Sequence, residues 1–184
     1  MDKKSRQSFL LHCCCAPCTT HPIRVLRDEF DVTAFFYNPN IHPVEEYRLR
    51  QDELKRLAEK WEFSLILGKY AVDEWFRKVK GYEENPEGGL RCEICYRLRL
   101  EKTAQAAKKR GIQFFGTTLS VSPHKKADVI NRIGKELEGK WDVRFYEADF
   151  KKRDGFKISC RLSEEEGLYR QDYCGCTFSR RRGE

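Results

Sequence analysis

At 184 residues the chain is long enough for one domain with a substantial core and too short for two of ordinary size, so we expect a single domain over residues 1–184. Its formal charge of +7 favours a polyanionic partner such as a nucleic acid. No secretion signal and no apolar run of about 20 residues is evident, which argues against membrane insertion and predicts a cytoplasmic protein.

The first half of the chain alternates short apolar segments with helical patterns. β-Branched and aromatic residues favour strands at residues 8–12, 31–37 and 63–67. Apolar residues at helical spacing, with a proline near the first turn of the first segment, predict helices over residues 20–30 and 44–60. These five elements form a βαβαβ unit.

The second half continues the same alternation. Glycine and proline make residues 81–89 the expected flexible loop. A long helix over residues 91–110 ends before Gly111, which suits a C-terminal cap. The remaining predicted elements are helices at 73–79 and 125–137, strands at 112–116 and 143–146, a weaker helix around 163–169, and a basic tail at 177–184.

Strands that alternate with helices predict a doubly wound, mostly parallel five-stranded α/β sheet of the Rossmann-like kind, followed by an irregular cysteine-bearing C-terminal segment. In such sheets ligands bind beyond the carboxyl ends of the strands. The segments of unusual composition follow the predicted strands at residues 13–18, 38–42, 117–125 and 147–154. We therefore expect them to form one site.

Nine cysteines cannot pair completely, and cytosolic thiols are normally kept reduced, so metal binding or redox chemistry is favoured. Cys14 and Cys15, together with Cys92 and Cys95 on one helical turn, suffice for a [4Fe-4S] cluster. Zinc would accept the same four thiolates, and spacing alone does not separate the two. The surplus thiols favour a redox enzyme over a structural zinc site.

Two other cysteine pairs support further interpretations. Cys15 and Cys18 have the spacing of a thioredoxin-type motif at a helix start, where a low thiol pKa is expected. Cys174 and Cys176 are too close in sequence for an unstrained disulfide, so a bond between them would be labile and suited to redox turnover. Packing is the expected role of the remaining cysteines, Cys13 and Cys160.

Five motifs, at residues 11–18, 36–43, 91–96, 117–125 and 169–176, together resemble the epoxyqueuosine reductase family QueH in order and composition. The resemblance implies cobalamin-independent reduction of epoxyqueuosine to queuosine in the wobble position of tRNA. It also implies a [4Fe-4S] cluster on Cys14, Cys15, Cys92 and Cys95, and a redox-active pair at Cys174 and Cys176. The electrons would come from an external donor.

The family-type cysteines outnumber the four cluster ligands, which motivates the hypothesis of a second iron ion. Its ligands would come from Cys18, Cys174 and Cys176 with the carboxylate of Asp149, and the ion would act as a Lewis acid on the epoxide oxygen. For Asp149, a role as a solvated loop carboxylate or as the ion-pair partner of a nearby lysine such as Lys151 is weighed equally with the role of iron ligand.

Substrate contacts are expected from the loops that follow the strands. A nucleotide in an anticodon loop is single-stranded, so stacking and phosphate neutralisation should dominate its recognition. The candidates are Asn38, Asn40, Thr117, Thr118, His124 and Lys125, with phosphate contacts from Lys126, Lys151, Lys152 and Arg153. The alternatives to an RNA-modifying metalloenzyme are a dithiol oxidoreductase that uses Cys15 and Cys18, and a zinc-stabilised RNA-binding module; no oligomeric state is indicated.

Overall fold

A five-stranded parallel sheet forms the centre of the computed structural model, which describes residues 6–179. Its order is β3-β2-β1-β4-β5, and the central strand β1 pairs with β2 and β4. The strands are β1 (Gln7–His12), β2 (Phe30–Phe36), β3 (Ser64–Leu67), β4 (Phe114–Thr117) and β5 (Arg144–Phe145). Because every pair is parallel, the carboxyl ends of all strands meet at one edge of the sheet, called the carboxyl edge below.

Helices cover both faces of this sheet. The helices are α1 (Ala16–Leu26), α2 (Val44–Trp61), α3 (Val72–Val79), α4 (Leu90–Lys109), α5 (Ala127–Trp141) and α6 (Gly155–Glu165), with 3-10 turns at Thr118–Val121 and Thr177–Ser179. No helix among residues 6–179 is both long and apolar enough to cross a membrane.

Two hydrophobic cores result from the alternation of side chains along the buried strands. Phe9 and Leu11 of β1 belong to the core beneath α1 and α2, whereas Leu10 between them belongs to the core beneath α3, α4 and α5. A strand whose two faces are both buried has a nearly continuous run of apolar residues in its sequence, as β1 does. The doubly wound, Rossmann-like α/β fold is confirmed, and its sheet is entirely parallel among the described residues.

Two helix predictions were wrong in their bounds. Helix α1 begins at Ala16, inside the cysteine motif, and ends at Leu26, whereas the prediction ran from residue 20 to residue 30. The sixth helix is Gly155–Glu165, whereas the prediction was 163–169. Its buried positions include Gly155, Ser159 and Ser163, so the face packed in the protein lacks the apolar periodicity that reveals a helix.

Three other predicted segments lie before or after the helices. Gly111 adopts a left-handed conformation with φ of 66° immediately after α4, as a C-terminal cap requires. The segment predicted as a flexible loop, residues 81–89, consists of turns, and the buried side chain of Arg91 donates hydrogen bonds to the carbonyls of Tyr82, Glu83 and Asn85. In the predicted basic tail, Arg180 to Arg182 lie outside the described residues.

Candidate metal and catalytic site

The first thiol group lies directly after β1, at the carboxyl edge. The sulfurs of Cys14, Cys15 and Cys18 all lie within 4.8 Å of one another, and those of Cys14 and Cys15 are 3.8 Å apart. Cys15 is the N-cap of α1, and its sulfur accepts a hydrogen bond from the backbone N–H of Cys18 at 3.5 Å. A metal with tetrahedral bonds of about 2.3 Å to thiolates spaces its sulfurs about 3.8 Å apart, so this group is compact enough to hold a metal ion.

Electrostatics single out Cys14 within the first thiol group. Hydrogen bonds from Cys15 and Cys18 hold the pKa of Cys14 well below its usual value. The hydrogen bond to Cys14 conversely raises the pKa of Cys15, to about 12. Cys13 is fully buried, donates to the Leu11 carbonyl, and has a pKa raised by burial, which is consistent with a packing role.

The second thiol group lines a small cavity of about 20 Å³. Cys92 and Cys95 come from the first turns of α4, and Cys174 and Cys176 come from the C-terminal segment. The backbone N–H of Gly88 donates to the Cys92 sulfur at 3.2 Å. A hydrogen bond from Cys176 holds the pKa of Cys174 well below its usual value, whereas the pKa of Cys176 is raised. All nine cysteines are free thiols, so no disulfide joins Cys174 to Cys176.

Cationic side chains accompany these thiols. Arg91, Arg99 and Lys125 line the same cavity, against a single carboxylate from Glu87. Burial disfavours the charge of Lys125, but attraction to the sulfurs of Cys14, Cys174 and Cys18 raises its pKa. A cavity with excess positive charge and several thiols suits an anionic metal–thiolate centre. The sequence prediction missed Arg99, although its place one helical turn after Cys95 could have revealed it.

Asp149 lies in the loop after β5. Its carboxylate pairs with Lys151 at 2.7 Å, and Lys151 also donates to the Lys125 carbonyl at 3.4 Å. Among residues 6–179, the close grouping of metal-type ligand atoms comprises the three thiols of the first group and does not include Asp149. The structure therefore shows the ion pair that the sequence offered as the alternative role of Asp149.

The predicted substrate residues divide into two sets. Three of them order the loops: Asn38 donates to the Cys13 carbonyl at 2.9 Å, Thr117 bonds to His12 at 2.9 Å, and Thr118 lies 3.6 Å from the Cys14 sulfur. Asn40 and Lys125 line the cavity, and the buried Oδ1 of Asn40 has no hydrogen-bond partner among the described residues. His124 is exposed outside it. Asn40 and Lys125 are thus the best placed to contact a ligand.

Gln171 is a second residue that the sequence did not single out. Its side-chain amide donates to the Cys15 sulfur at 3.0 Å, and its amide oxygen is buried with no partner among residues 6–179. Because Gln171 lies three residues before Cys174, this contact brings the C-terminal segment to the first thiol group. The two thiol groups are therefore linked through one segment of chain.

Comparisons with known proteins place these features in a family. The sequence model of the family described as Epoxyqueuosine reductase QueH matches residues 9–182. The Thermotoga maritima protein named Epoxyqueuosine reductase QueH is 44% identical over 176 residues, which cover 94% of this chain and 90% of that protein. The Streptococcus pyogenes protein of the same name is 39% identical over 187 residues, covering 97% of this chain and 72% of that protein.

One solved structure supports the fold at much lower sequence similarity. It is the U34-tRNA thiolase NcsA from Methanococcus maripaludis with its [4Fe-4S] cluster, with a TM-score of 0.60 and 12% identity. The match covers 96% of this chain and 62% of the NcsA chain, so this chain spans under two thirds of that protein. At this identity the likeness concerns the fold.

Proposed function

The chain belongs to the epoxyqueuosine reductase QueH family, and on that premise we propose that it reduces epoxyqueuosine to queuosine in the wobble position of tRNA, without cobalamin. The observation that carries the proposal is the presence of two groups of free thiols, one directly after β1 and the other lining a cationic cavity. Because tRNA is the substrate, the activity belongs in the cytoplasm, and an external donor supplies the electrons.

The reaction requires two electrons and two protons for each epoxide, and it leaves an alkene and water. Cys14, Cys15, Cys92 and Cys95 would hold a [4Fe-4S] cluster, and Cys18, Cys174 and Cys176, with Asp149 released from Lys151, would hold a second iron ion. When bound, the cluster would supply electrons singly and the second iron a Lewis acid. The thiol donor set and the surrounding positive charge fit such anionic centres.

The residues of the chain would perform the remaining tasks. The unpartnered amide oxygen of Asn40 can accept a hydrogen bond from the modified nucleoside bound at the cavity, and Lys125 can donate one to its oxygens. Thr117, Thr118 and Asn38 fix the loops that carry these groups, and the exposed His124 can contact the anticodon loop outside the cavity. Cys174 and Cys176 remain candidates for a reversible redox pair.

The test is anaerobic reconstitution followed by iron analysis, electron paramagnetic resonance and turnover of tRNA that contains epoxyqueuosine. We expect an iron-sulfur signal and formation of queuosine. Cys92→Ser should lose both the iron-sulfur signal and the formation of queuosine. The matched variant Cys160→Ser, on α6, should keep both properties. An intact cluster that converts no epoxyqueuosine would refute the activity, and four irons per chain in fully active protein would refute the second iron.

The same preparation distinguishes the reductase from the two alternatives, a dithiol oxidoreductase and a zinc-stabilised RNA-binding module. A dithiol oxidoreductase that uses Cys15 and Cys18 needs no metal, so it predicts colourless active protein. A zinc-stabilised RNA-binding module predicts zinc in place of iron and no turnover.

A further inference from the structure

The segment after α6 runs along one side of α2, and residues 166–176 are called the C-terminal strap here. At its start, Arg56 donates to the carbonyls of Glu166 and Gly167 at 3.3 and 3.2 Å. Lys60 pairs with the Glu166 carboxylate at 2.7 Å, and Trp61 donates to it at 3.1 Å. The charged residues of α2 on this side are therefore a binding surface for the strap.

The middle of the C-terminal strap is fixed by two carboxylates of α2. Glu53 accepts the backbone N–H of Tyr169 at 2.9 Å, and Glu46 accepts the hydroxyl of the same residue at 3.1 Å. Glu46, Arg50 and Glu53 follow one another at intervals of four and three residues, which places them on one face of the helix. The contacts form a continuous row from Glu166 towards the thiols.

Arg50 ends this row and holds the backbone of the thiol pair. Its guanidinium donates to the Tyr173 carbonyl at 3.1 Å and to the Cys174 carbonyl at 3.2 Å, and it pairs with Glu46 at 2.6 Å. Its Cζ lies 5.2 Å from the centre of the Tyr173 ring. Arg50 is only 2% exposed. A planar guanidinium can meet a carboxylate and two carbonyls at once, which a lysine ammonium on a flexible stem does less well.

The geometry of Gly175 fits a tightly held turn. Its φ is 103°, and a Cβ at this position would lie 2.8 Å from the Ile41 side chain and 3.2 Å from Arg50. Its carbonyl accepts the backbone N–H of His42 at 2.8 Å, and the Tyr173 hydroxyl donates to the His42 carbonyl. Arg50 and the loop after β2 thus enclose the turn that separates Cys174 from Cys176.

We infer that Arg50 is a positioning residue that holds the Cys174 and Cys176 thiols at the cavity by clamping the C-terminal strap to α2. The inference rests on the proposed function of these two thiols, because only then does their position affect catalysis. It assigns a task to a buried arginine that does not itself line the cavity. Loss of the clamp should displace the thiol pair and leave the sheet and α4 in place.

The first test measures alkylation of each cysteine by mass spectrometry in metal-free protein. In Arg50→Met, Cys174 and Cys176 should react at least about tenfold faster than in the unmodified protein, because at least one charged hydrogen bond that closes the strap is lost. Cys13, directly after β1 and fully buried, should react at its original rate, since it reports opening of the core. In Arg50→Lys, the alkylation rates of Cys174 and Cys176 should lie between those of Arg50→Met and of unmodified protein. Arg48 is an exposed residue on the same helix, so Arg48→Met should show the rates of unmodified protein.

Two results would overturn the inference. Equal acceleration at Cys13 and Cys174 would mean that Arg50 stabilises the whole fold, and unchanged rates at Cys174 would mean that it does not hold the strap. In reconstituted enzyme, Arg50→Met should lower kcat about tenfold with KM unchanged, and Arg50→Lys should restore part of kcat. If unmodified protein converts no epoxyqueuosine, the proposed function fails, yet the alkylation contrast still decides the role of Arg50.

Discussion

Arg99 shows how a single residue can adjust the thiol site. It is 3% exposed, its Nε donates to the Cys95 carbonyl at 3.3 Å, and its guanidinium lies 5.7 Å from the Tyr96 ring centre. No carboxylate among residues 6–179 pairs with it. A buried charge without a counter-charge is strongly destabilising. The nearby sulfurs, and the anionic centre that we propose they hold, are the groups that can compensate it.

Replacing Arg99 should therefore shift the reduction potential of the proposed cluster. A positive charge favours the more negative, reduced form, so Arg99→Met should lower the midpoint potential by tens of millivolts, given that about 59 mV corresponds to about 1.4 kcal/mol for one electron. Redox titration monitored by electron paramagnetic resonance measures the shift. Arg99→Lys should retain most of the original potential.

Arg97→Met is the matched control for this prediction. Arg97 lies on the same helix, but its side chain is 43% exposed and pairs with Glu136 on the surface. Its replacement should leave the potential unchanged. An equal potential in Arg99→Met and unmodified protein would contradict the assignment of Arg99 as a compensating charge.

His42 is a second residue whose environment makes a measurable prediction. Its ring lies 5.0 Å from that of Trp75 and 4.9 Å from that of Phe76, and neither buried ring nitrogen has a well-formed hydrogen bond. Burial lowers the pKa of His42 to about 4, against a smaller opposing contribution from the Pro39 backbone. The ring is therefore neutral at physiological pH.

Replacing His42 with phenylalanine should reduce the loss of stability in acid. Between about pH 6.5 and pH 4 the unfolded chain binds the proton that folded His42 excludes, so the free energy of unfolding decreases as the pH falls through this range. His42→Phe removes this contribution. Urea unfolding of metal-free protein at pH 7 and pH 4.5 should show a smaller decrease in the variant.

The comparison isolates His42 because His12 is present in both proteins. Burial also lowers the pKa of His12 to about 4, so the unmodified protein and His42→Phe share that acid sensitivity. Identical decreases in the two proteins would mean that His42 does not carry the predicted pKa shift.

At the scale of elements, α5 contains two glycines with opposite roles. A Cβ on Gly134 would lie 2.3 Å from the ring of Phe145, a buried side chain of β5 that packs 5.1 Å from Phe115. Apart from the neighbouring backbone of α5 itself, no atom of residues 6–179 lies within 4 Å of the Cβ position at Gly139. The first glycine permits the close approach of α5 to the sheet, whereas the second only lowers the helix propensity.

Alanine substitutions at the two positions should therefore have opposite signs. Gly134→Ala should destabilise the fold by about 1–3 kcal/mol, because the Phe145 ring cannot move without disturbing the core. Gly139→Ala should stabilise it by about 0.5–1 kcal/mol through helix propensity. Chemical denaturation measures both, and a stabilising Gly134→Ala would contradict the packing of α5 on β5.

These elements also show what the sequence could reveal. The strands and α4 were predictable because continuous apolar runs and an uninterrupted helical period mark them. The start of α1 was not predictable, because its N-cap residue is Cys15 in place of the usual serine or aspartate. Spacing along the chain also singled out the cysteines proposed for the site. Arg50 was not predicted, because a charged residue on an amphipathic helix resembles its solvated neighbours until the tertiary structure buries it, whereas the place of Arg99 one turn after Cys95 was a usable signal.

At the scale of the whole molecule, the topology gathers basic side chains at the carboxyl edge. Lys126 follows the turn after β4, and Lys152 and Arg153 follow β5; all three are exposed. None of them belongs to the ion pairs among residues 6–179, unlike Lys151, which pairs with Asp149. These three cations are therefore available to phosphates of the proposed tRNA substrate.

Alanine substitution of all three residues should weaken tRNA binding and reduce its dependence on salt. Each contact to a phosphate of a single-stranded loop contributes about 0.7 to the slope of log K against log salt concentration, so the triple variant should lose about 2 from that slope. Fluorescence anisotropy with labelled tRNA over a series of salt concentrations measures it.

The matched control substitutes basic residues at the opposite edge of the sheet. Arg27, Lys109 and Arg110 are exposed and lie just before β2 or β4 begins. Both triple variants lose the same net charge, so a general effect of charge on association would lower the slope equally in each. A binding surface at the carboxyl edge instead requires that the control triple variant keep nearly the full slope. Equal slopes in the two variants would mean that tRNA does not contact the protein through Lys126, Lys152 and Arg153.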